Sequence, residues 1–261
     1  MFGDLLALRQ RPIPPLESTR WMKQGYRDWP IEKSGAPYAE PLVRAQDFGL
    51  RGRNYYAHAR NPPYWAPAEG AIDALLIRHT VAALLKDVDS RLQQEGLRLF
   101  LYDAWRPRAV QAYFHDVWMP GELRRHRPEL NEDEIKAEVS RYWAAPTDDP
   151  MKPAPHATGG AVDLSLVWED GQPLYMGSLF DDATALAGTD RFERDADERS
   201  FSHDEARANR RLLYWLMIEA GFSNHPDEWW HYSYGDQMWA IHMGKPAALY
   251  GLAEPGPNLQ P

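Results

Sequence analysis

The chain of 261 residues contains no cysteine. That excludes disulfides, cysteine-ligated zinc, iron–sulfur clusters and a thiol nucleophile, so any metal must be held by His, Asp or Glu. Long apolar runs are missing too: no stretch approaches the roughly 20 residues needed to span a bilayer. The first twenty residues lack the charged head and apolar core of a secretory leader, since Leu5-Leu6-Ala7-Leu8 is short and Arg9 and Arg11 interrupt it. The simplest location is the cytoplasm, with no membrane partner. Positive charge is in deficit, with 29 Lys and Arg against 38 Asp and Glu and a net charge of −9, which argues against nucleic acid as a partner. The basic cluster Arg124-Arg125-His126-Arg127 reads as a solvated loop. There is no His-Glu-x-x-His helix, Gly-x-Ser-x-Gly elbow or phosphate-binding glycine loop, and no internal repeat or low-complexity tract.

What is present is enough to fold without staples, because a chain of this length buries roughly 70–75% of its unfolded surface. Residues 1–67 are rich in Pro, Arg and aromatics and read as an irregular wrap, with short strands near Leu42–Val43 and Tyr55–Tyr56. The spacing of Ile72, Leu75, Leu76, Val81–Leu85, Val88 and Leu92 predicts a helix over 68–94, ended by Gly96. Leu97 to Trp105 reads as a strand, and Pro107 opens a helix that continues through Val117. Asn131 and Glu134 form a capping-box pattern for a helix to Trp143, and Ala161 to Trp168 is a strand ended by Glu169-Asp170-Gly171. Residues 176–199 look acidic and loop-like. Ser202 with Glu205 caps a helix to about Ala220, Glu228 begins a final strand, and 245–261 reads as an extended tail. Long helices with non-repeating strands favour an α+β domain over 68–244 rather than a βαβ repeat.

Three segments carry chemistry. In His156-Ala157-Thr158-Gly159-Gly160-Ala161-Val162-Asp163, a turn at the glycines followed by a strand lets His156 and Asp163 face one point. The competing reading, an Asp that closes a turn or pairs with an Arg, is about as good for this segment alone. In Glu228-Trp229-Trp230-His231, strict alternation puts Glu228 and His231 on opposite faces, and a bulge would bring them together. Alone, that segment is better read as a histidine buried among aromatics. Together the two supply two imidazoles, a carboxylate for three corners of a zinc site, and a second carboxylate as general base, which reads as a zinc hydrolase. In Tyr102-Asp103-Ala104-Trp105-Arg106-Pro107, Arg106 is either an oxyanion stabiliser or the partner of a structural salt bridge to Asp103. His225 and His242 flank the second segment and are the strongest rivals as ligands. Of the eleven tryptophans, Trp105, Trp229 and Trp230 fall near these segments, though tryptophan is more often core packing.

The pattern His-x-x-Gly-x-Ala-x-Asp at 156–163 followed by Glu-x-x-His at 228–231 resembles the D-alanyl-D-alanine dipeptidases, the VanX-like members of the zinc DD-peptidase group with a hedgehog-like fold. Tyr102-Asp103-x-x-Arg106-Pro107 and Met176-Gly177-x-x-Phe180-Asp181 are similar to two further segments of that family. The resemblance spans about Leu97 to Tyr234. It implies a single α+β domain with a central antiparallel sheet flanked by helices. It also implies one zinc on His156, Asp163 and His231, Glu228 as general base and acid, and Arg106 as stabiliser of the tetrahedral intermediate. Asp181 then takes the amino group of a small dipeptide, D-alanyl-D-alanine or a related D-amino-acid dipeptide. Tyr102, Asp103, Thr158 and Trp230 are further substrate-binding candidates. The chain departs from the family at Ala154, where a serine usually stands two residues before the first zinc histidine. Other readings of the same motifs are a zinc amidase or carboxypeptidase acting on a peptidoglycan fragment or another small amide, and a zinc-binding recognition domain without catalysis. The intact Glu228 and Arg106 argue against the last.

Overall fold

Alternation of side chains along Leu97–Asp103 (β4) buries Leu97, Leu99, Leu101 and Asp103 and leaves Arg98, Phe100 and Tyr102 half-buried. The neighbouring strand, Ala161–Trp168 (β5), is buried at every residue but the last. These two strands are the middle of a five-stranded sheet described, with the rest of the fold, by a computed structural model of residues 2–17, 25–194 and 200–259. β4 and β5 run antiparallel from Leu97 opposite Trp168 to Asp103 opposite Asp163, with a register shift after Leu101. On the other side of β5 lies Glu228–Ser233 (β7), antiparallel, and beyond it Ser223–His225 (β6). The far edge is the short Arg51–Gly52 (β2), which pairs with β4 in parallel, so the sheet is mixed at that edge. Leu42–Arg44 (β1) and Leu76–Arg78 (β3) form a separate antiparallel pair.

Several sequence expectations change here. The helix expected over 68–94 is confined to His79–Gln93 (α2). Leu76-Ile77-Arg78 is fully buried and pairs with β1 instead, a short apolar run whose periodicity alone does not separate helix from strand. Leu42–Arg44 is a strand, but Tyr55–Ala57 is a 3-10 turn capped by the Asn54 side chain. The segment 2–67 is not wholly irregular: Phe2–Gln10 is a helix (α1). Its Leu5 and Leu8 enter the main core, Arg9 Nη1 donates to Asn209 Oδ1 at 2.6 Å, and the neighbouring Arg11 guanidinium lies 3.3 Å from the Trp215 ring centroid.

After Pro107, helix runs as Arg108–Ala112 (α3), a π segment over Tyr113–Trp118, and Met119–His126 (α4). The π turn precedes Pro120, which has no N–H to give back to the previous turn. Arg124 to His126 are therefore the exposed last turn of a helix rather than a loop, and Arg124 pairs with Glu132. Glu132–Tyr142 (α5) carries the expected capping box of Asn131 and Glu134. After the short Arg191–Arg194 (α6), the long helix Phe201–Glu219 (α7) is capped by Ser200, whose side chain accepts from the His203 N–H, and not by Ser202. Gln237–His242 (α8) follows the sheet. Residues 248–253 pack against the body: Ala248 bridges to Ile31, Tyr250 is buried, and Trp105 Nε1 donates to the Ala253 carbonyl at 2.9 Å. Among the described residues, no helix is long and apolar enough to cross a membrane.

Candidate metal centre and its cavity

The β5–β7 register sets Asp163 directly opposite His231, so their side chains meet as cross-strand neighbours. His156 arrives from a 3-10 turn, Pro155–Thr158, that ends at Gly159 with φ 72°. Gly160 must also be small, since a Cβ there would collide with the Tyr234 carbonyl oxygen. The turn delivers His156 Nε2 to 3.3 Å from Asp163 Oδ2 and 3.2 Å from His231 Nδ1, while His231 Nδ1 lies 3.0 Å from Asp163 Oδ1. His156, Asp163 and His231 are 5%, 2% and 7% exposed.

This donor set fits one zinc ion. Ligand atoms on a tetrahedral zinc at ~2.1 Å stand ~3.4 Å apart, close to the spacing of the three side chains. The outer nitrogens are engaged as metal-ligating histidines require. His156 Nδ1 donates to the Ala104 carbonyl at 2.8 Å, which leaves Nε2 with its lone pair towards the site. His231 is turned the other way, Nδ1 inward and Nε2 3.3 Å from Ser233 Oγ. Burial alone would raise the Asp163 carboxyl, but His156 and then His231 overcome it and hold the group well below the usual carboxylate range. Burial likewise lowers His231, and its hydrogen bond to Asp163 outweighs that, so the imidazole sits above its ordinary value. Two imidazoles crowded on a carboxylate make a dense donor cluster that a cation satisfies. Among the described residues this is the one group so arranged.

Glu228 opens β7 beside an irregularity in the β6–β7 ladder, where the register shifts between Asn224 and His225. That shift does what strict alternation forbids, and Glu228 Oε2 lies 3.8 Å from His231 Nδ1. Arg106 is buried and fully directed. Its Nε donates to Asp103 Oδ2 at 2.8 Å, Nη1 to Gln111 Oε1 at 2.9 Å, and Nη2 to Tyr56 Oη at 3.3 Å, with Asp163 Oδ2 3.5 Å away. The guanidinium carbon lies 4.9 Å from the ring centres of both Tyr56 and Trp143. Burial would lower its pKa, but Tyr56, Asp103 and Asp163 outweigh it and the group stays charged. Arg106 thus makes the salt bridge to Asp103 that the sequence allowed, and its Nη2 also stands beside Asp163.

Asp181 adopts φ 59°, rare for a residue with a side chain, and its Oδ2 accepts from the hydroxyls of Tyr56 and Tyr64, each at 2.8 Å. Burial, and next the charge of Asp163, push its carboxyl up to about 8. Arg106, His156, Asp163, Asp181, Glu228, Trp230 and His231 line one cavity of about 270 Å³. Three expected substrate contacts lie elsewhere. Thr158 Oγ1 donates to the Pro155 carbonyl at 2.6 Å and accepts from the Gly160 N–H at 3.0 Å, closing the turn rather than facing the cavity. Tyr102 stacks on Phe180, centroids 4.8 Å apart. Asp103 is wholly buried behind Arg106. His225 joins the cavity wall with its ring 5.7 Å from that of His231, and His242 ends α8. Sequence reasoning missed Tyr56, Tyr64, Gln111 and Trp143. The first two sit in a stretch without periodicity, far along the chain from the carboxylate they hold.

A family model described as D-ala-D-ala dipeptidase matches residues 49–246. A protein of Synechocystis sp. named D-alanyl-D-alanine dipeptidase is 36% identical over 152 residues, 54% of this chain and 61% of its own length. An Escherichia coli protein of the same name is 29% identical over 163 residues, 60% of this chain and 65% of its own length. The aligned region thus spans less than two thirds of either relative. A solved structure of the vancomycin resistance D,D-pentapeptidase VanY with Zn(II) aligns over 68% of this chain and 84% of its own, at 18% identity and a TM-score of 0.36.

Proposed function

The chain belongs to the D-Ala-D-Ala dipeptidase family of M15 peptidases, and from that premise we propose that it is a zinc-dependent dipeptidase acting on D-alanyl-D-alanine or a related D-amino-acid dipeptide. The observation that carries this reading is the meeting, in one cavity, of a three-donor cluster, a carboxylate 3.8 Å from it, a buried arginine and a second carboxylate on the wall. His156 Nε2, His231 Nδ1 and an Asp163 oxygen would hold the zinc, which when bound acidifies water and polarises a carbonyl. Glu228 takes the proton of the attacking water on its carboxylate and returns it to the amide nitrogen as the C–N bond breaks. The water oxygen ends on the new carboxylate, and the two protons are shared between the products. Arg106, fixed by Asp103, Gln111 and the rings beside it, meets the negative charge that grows on the carbonyl oxygen. Asp181 receives the substrate ammonium on Oδ1, since Oδ2 already accepts from two tyrosine hydroxyls. The same reading carries a cytoplasmic setting and a small dipeptide as the partner.

The test is hydrolysis of D,D-, L,D- and L,L-dipeptides by zinc-loaded protein, with Glu228→Ala beside it. Cleavage of D-Ala-D-Ala that falls by roughly 10²–10⁴-fold in the variant, at unchanged zinc content, is expected for a general base. Near-normal turnover by Glu228→Ala would remove Glu228 from the mechanism. Silence across the whole panel with one zinc bound would remove the dipeptidase reading.

A further inference from the structure

The cavity is lined at Tyr26 and Arg27 by a segment that lies before the region matched by the family model, and that segment is firmly held. Gln237 Nε2 donates to the carbonyls of Arg27 at 3.0 Å and Trp29 at 2.7 Å. Lys152 pairs with Asp28 at 2.6 Å, and Trp29 Nε1 donates to the Lys245 carbonyl at 3.0 Å. Tyr26 is buried. Arg27 is therefore presented to the cavity by an anchored backbone.

A dipeptide zwitterion brings two charges into this space, and each loses water on binding unless it meets an opposite charge. Asp181, neutral below about pH 8 in the empty cavity and drawn to its charged form by an ammonium beside it, answers the amine. Arg106, held by Asp103, Gln111 and Tyr56, is already assigned to the carbonyl oxygen in the dipeptidase reading, so the carboxylate needs a second cation. Arg27 is differently situated. Its Nε donates to Tyr26 Oη at 3.1 Å and its Nη2 to the Ala145 carbonyl at 2.5 Å. Among the described residues no ion pair joins it to a carboxylate, and its guanidinium carbon lies 5.7 Å from the Tyr26 ring centroid. Ala145 adjoins Ala144, whose carbonyl accepts from Gln111 Nε2 at 2.6 Å, so Arg27 and the Arg106–Gln111 pair hold adjacent carbonyls of the cavity wall.

We infer that Arg27 is the anchor for the C-terminal carboxylate of the dipeptide, a specificity residue supplied by the segment ahead of the family region. This rests on the dipeptidase reading and adds to it an electrostatic axis, Asp181 at the amino end and Arg27 at the carboxylate end, with the metal donors alongside. A free carboxylate is then a requirement for tight binding, and a peptide amide is a poor substrate through KM.

The experiment compares zinc-loaded wild type, Arg27→Gln and Arg27→Lys on D-Ala-D-Ala and on its C-terminal amide. Loss of one charge-assisted contact should raise KM for the free dipeptide roughly ten- to hundredfold in Arg27→Gln, with kcat little changed, a smaller rise in Arg27→Lys, and no comparable rise for the amide. Equal changes for both ligands, or no change for either, would overturn the anchor. Calorimetry with a hydrolysis-resistant phosphinate analogue of the dipeptide, with and without its carboxylate, separates this inference from the activity it rests on. Carboxylate-dependent binding that Arg27→Gln abolishes supports the anchor even if no dipeptide is cleaved. Binding by wild type that ignores the carboxylate, or no binding, rejects it.

Discussion

The two sides of the cavity are built differently. The metal side comes from adjacent strands and the turn that feeds one of them: Asp163 and His231 are paired across β5 and β7, and His156 is tied to the Ala104 carbonyl at the end of β4. The opposite side comes from irregular chain. Asp181 sits at a left-handed φ in the stretch between β5 and α7, and Arg27 sits near the amino end. That stretch is held by Arg210 of α7, a buried guanidinium that donates to the carbonyls of Met176, Gly188 and Leu186 at 2.5–2.7 Å. Placement by a sheet ladder is stiff and suits atoms that must hold an ion; placement by loops on that scaffold leaves recognition adjustable. Substitutions on the two sides should therefore separate into losses of metal and turnover and losses of affinity.

The largest expected effect is Asp163→Ala, which leaves two imidazoles without their carboxylate. Zinc content by mass spectrometry should fall to background and turnover should fall with it; full zinc occupancy in the variant would break the comparison at its strong side. Asp181→Asn should be milder and different in kind, with zinc retained and KM raised roughly tenfold or more for the loss of a charged contact. A fall in kcat at constant KM would instead move Asp181 into the chemistry. The smallest effect is a titration. In metal-free protein the Asp181 carboxyl should titrate near pH 8, neutral below and charged above, as followed by carbon NMR. The hydrogen bond from Tyr64 favours the charged form, so Tyr64→Phe should move that midpoint upward. A downward move would mean that the Tyr64 hydroxyl favours the neutral carboxyl instead.

How much of this was legible in the chain follows the same division. The donors lie in short motifs whose spacing reflects one turn and two strands, so local rules bring them near each other, and the capping box at Asn131 is local as well. Where local rules compete, reading fails. Leu75-Leu76-Ile77 continues the spacing of α2, yet the backbone of β1 offers a ladder, and pairing across that gap wins. Ser202 and Glu205 fit a cap, but Ser200 two residues earlier supplies the side chain that closes the helix. Tyr56 and Tyr64 were beyond reach because their partner is more than a hundred residues away and their own surroundings repeat nothing. Thr158, inside the strongest motif, serves the turn instead of the cavity.

The Tyr56 hydroxyl is shared between the two sides: it donates to Asp181 Oδ2 at 2.8 Å while accepting from Arg106 Nη2 at 3.3 Å. A chain of hydrogen bonds polarises along its length, so a fully ionised Asp181 makes that oxygen a better acceptor for the arginine. Coupling of this sort is reciprocal for binding. On the proposed mechanism, a dipeptide with its amine acylated would accordingly be disadvantaged twice, first in being captured and again because the guanidinium proposed to meet the developing charge would be less firmly aimed. If that proposal holds, the end group of the substrate, several bonds from the scissile amide, has a say in how well that amide is cut.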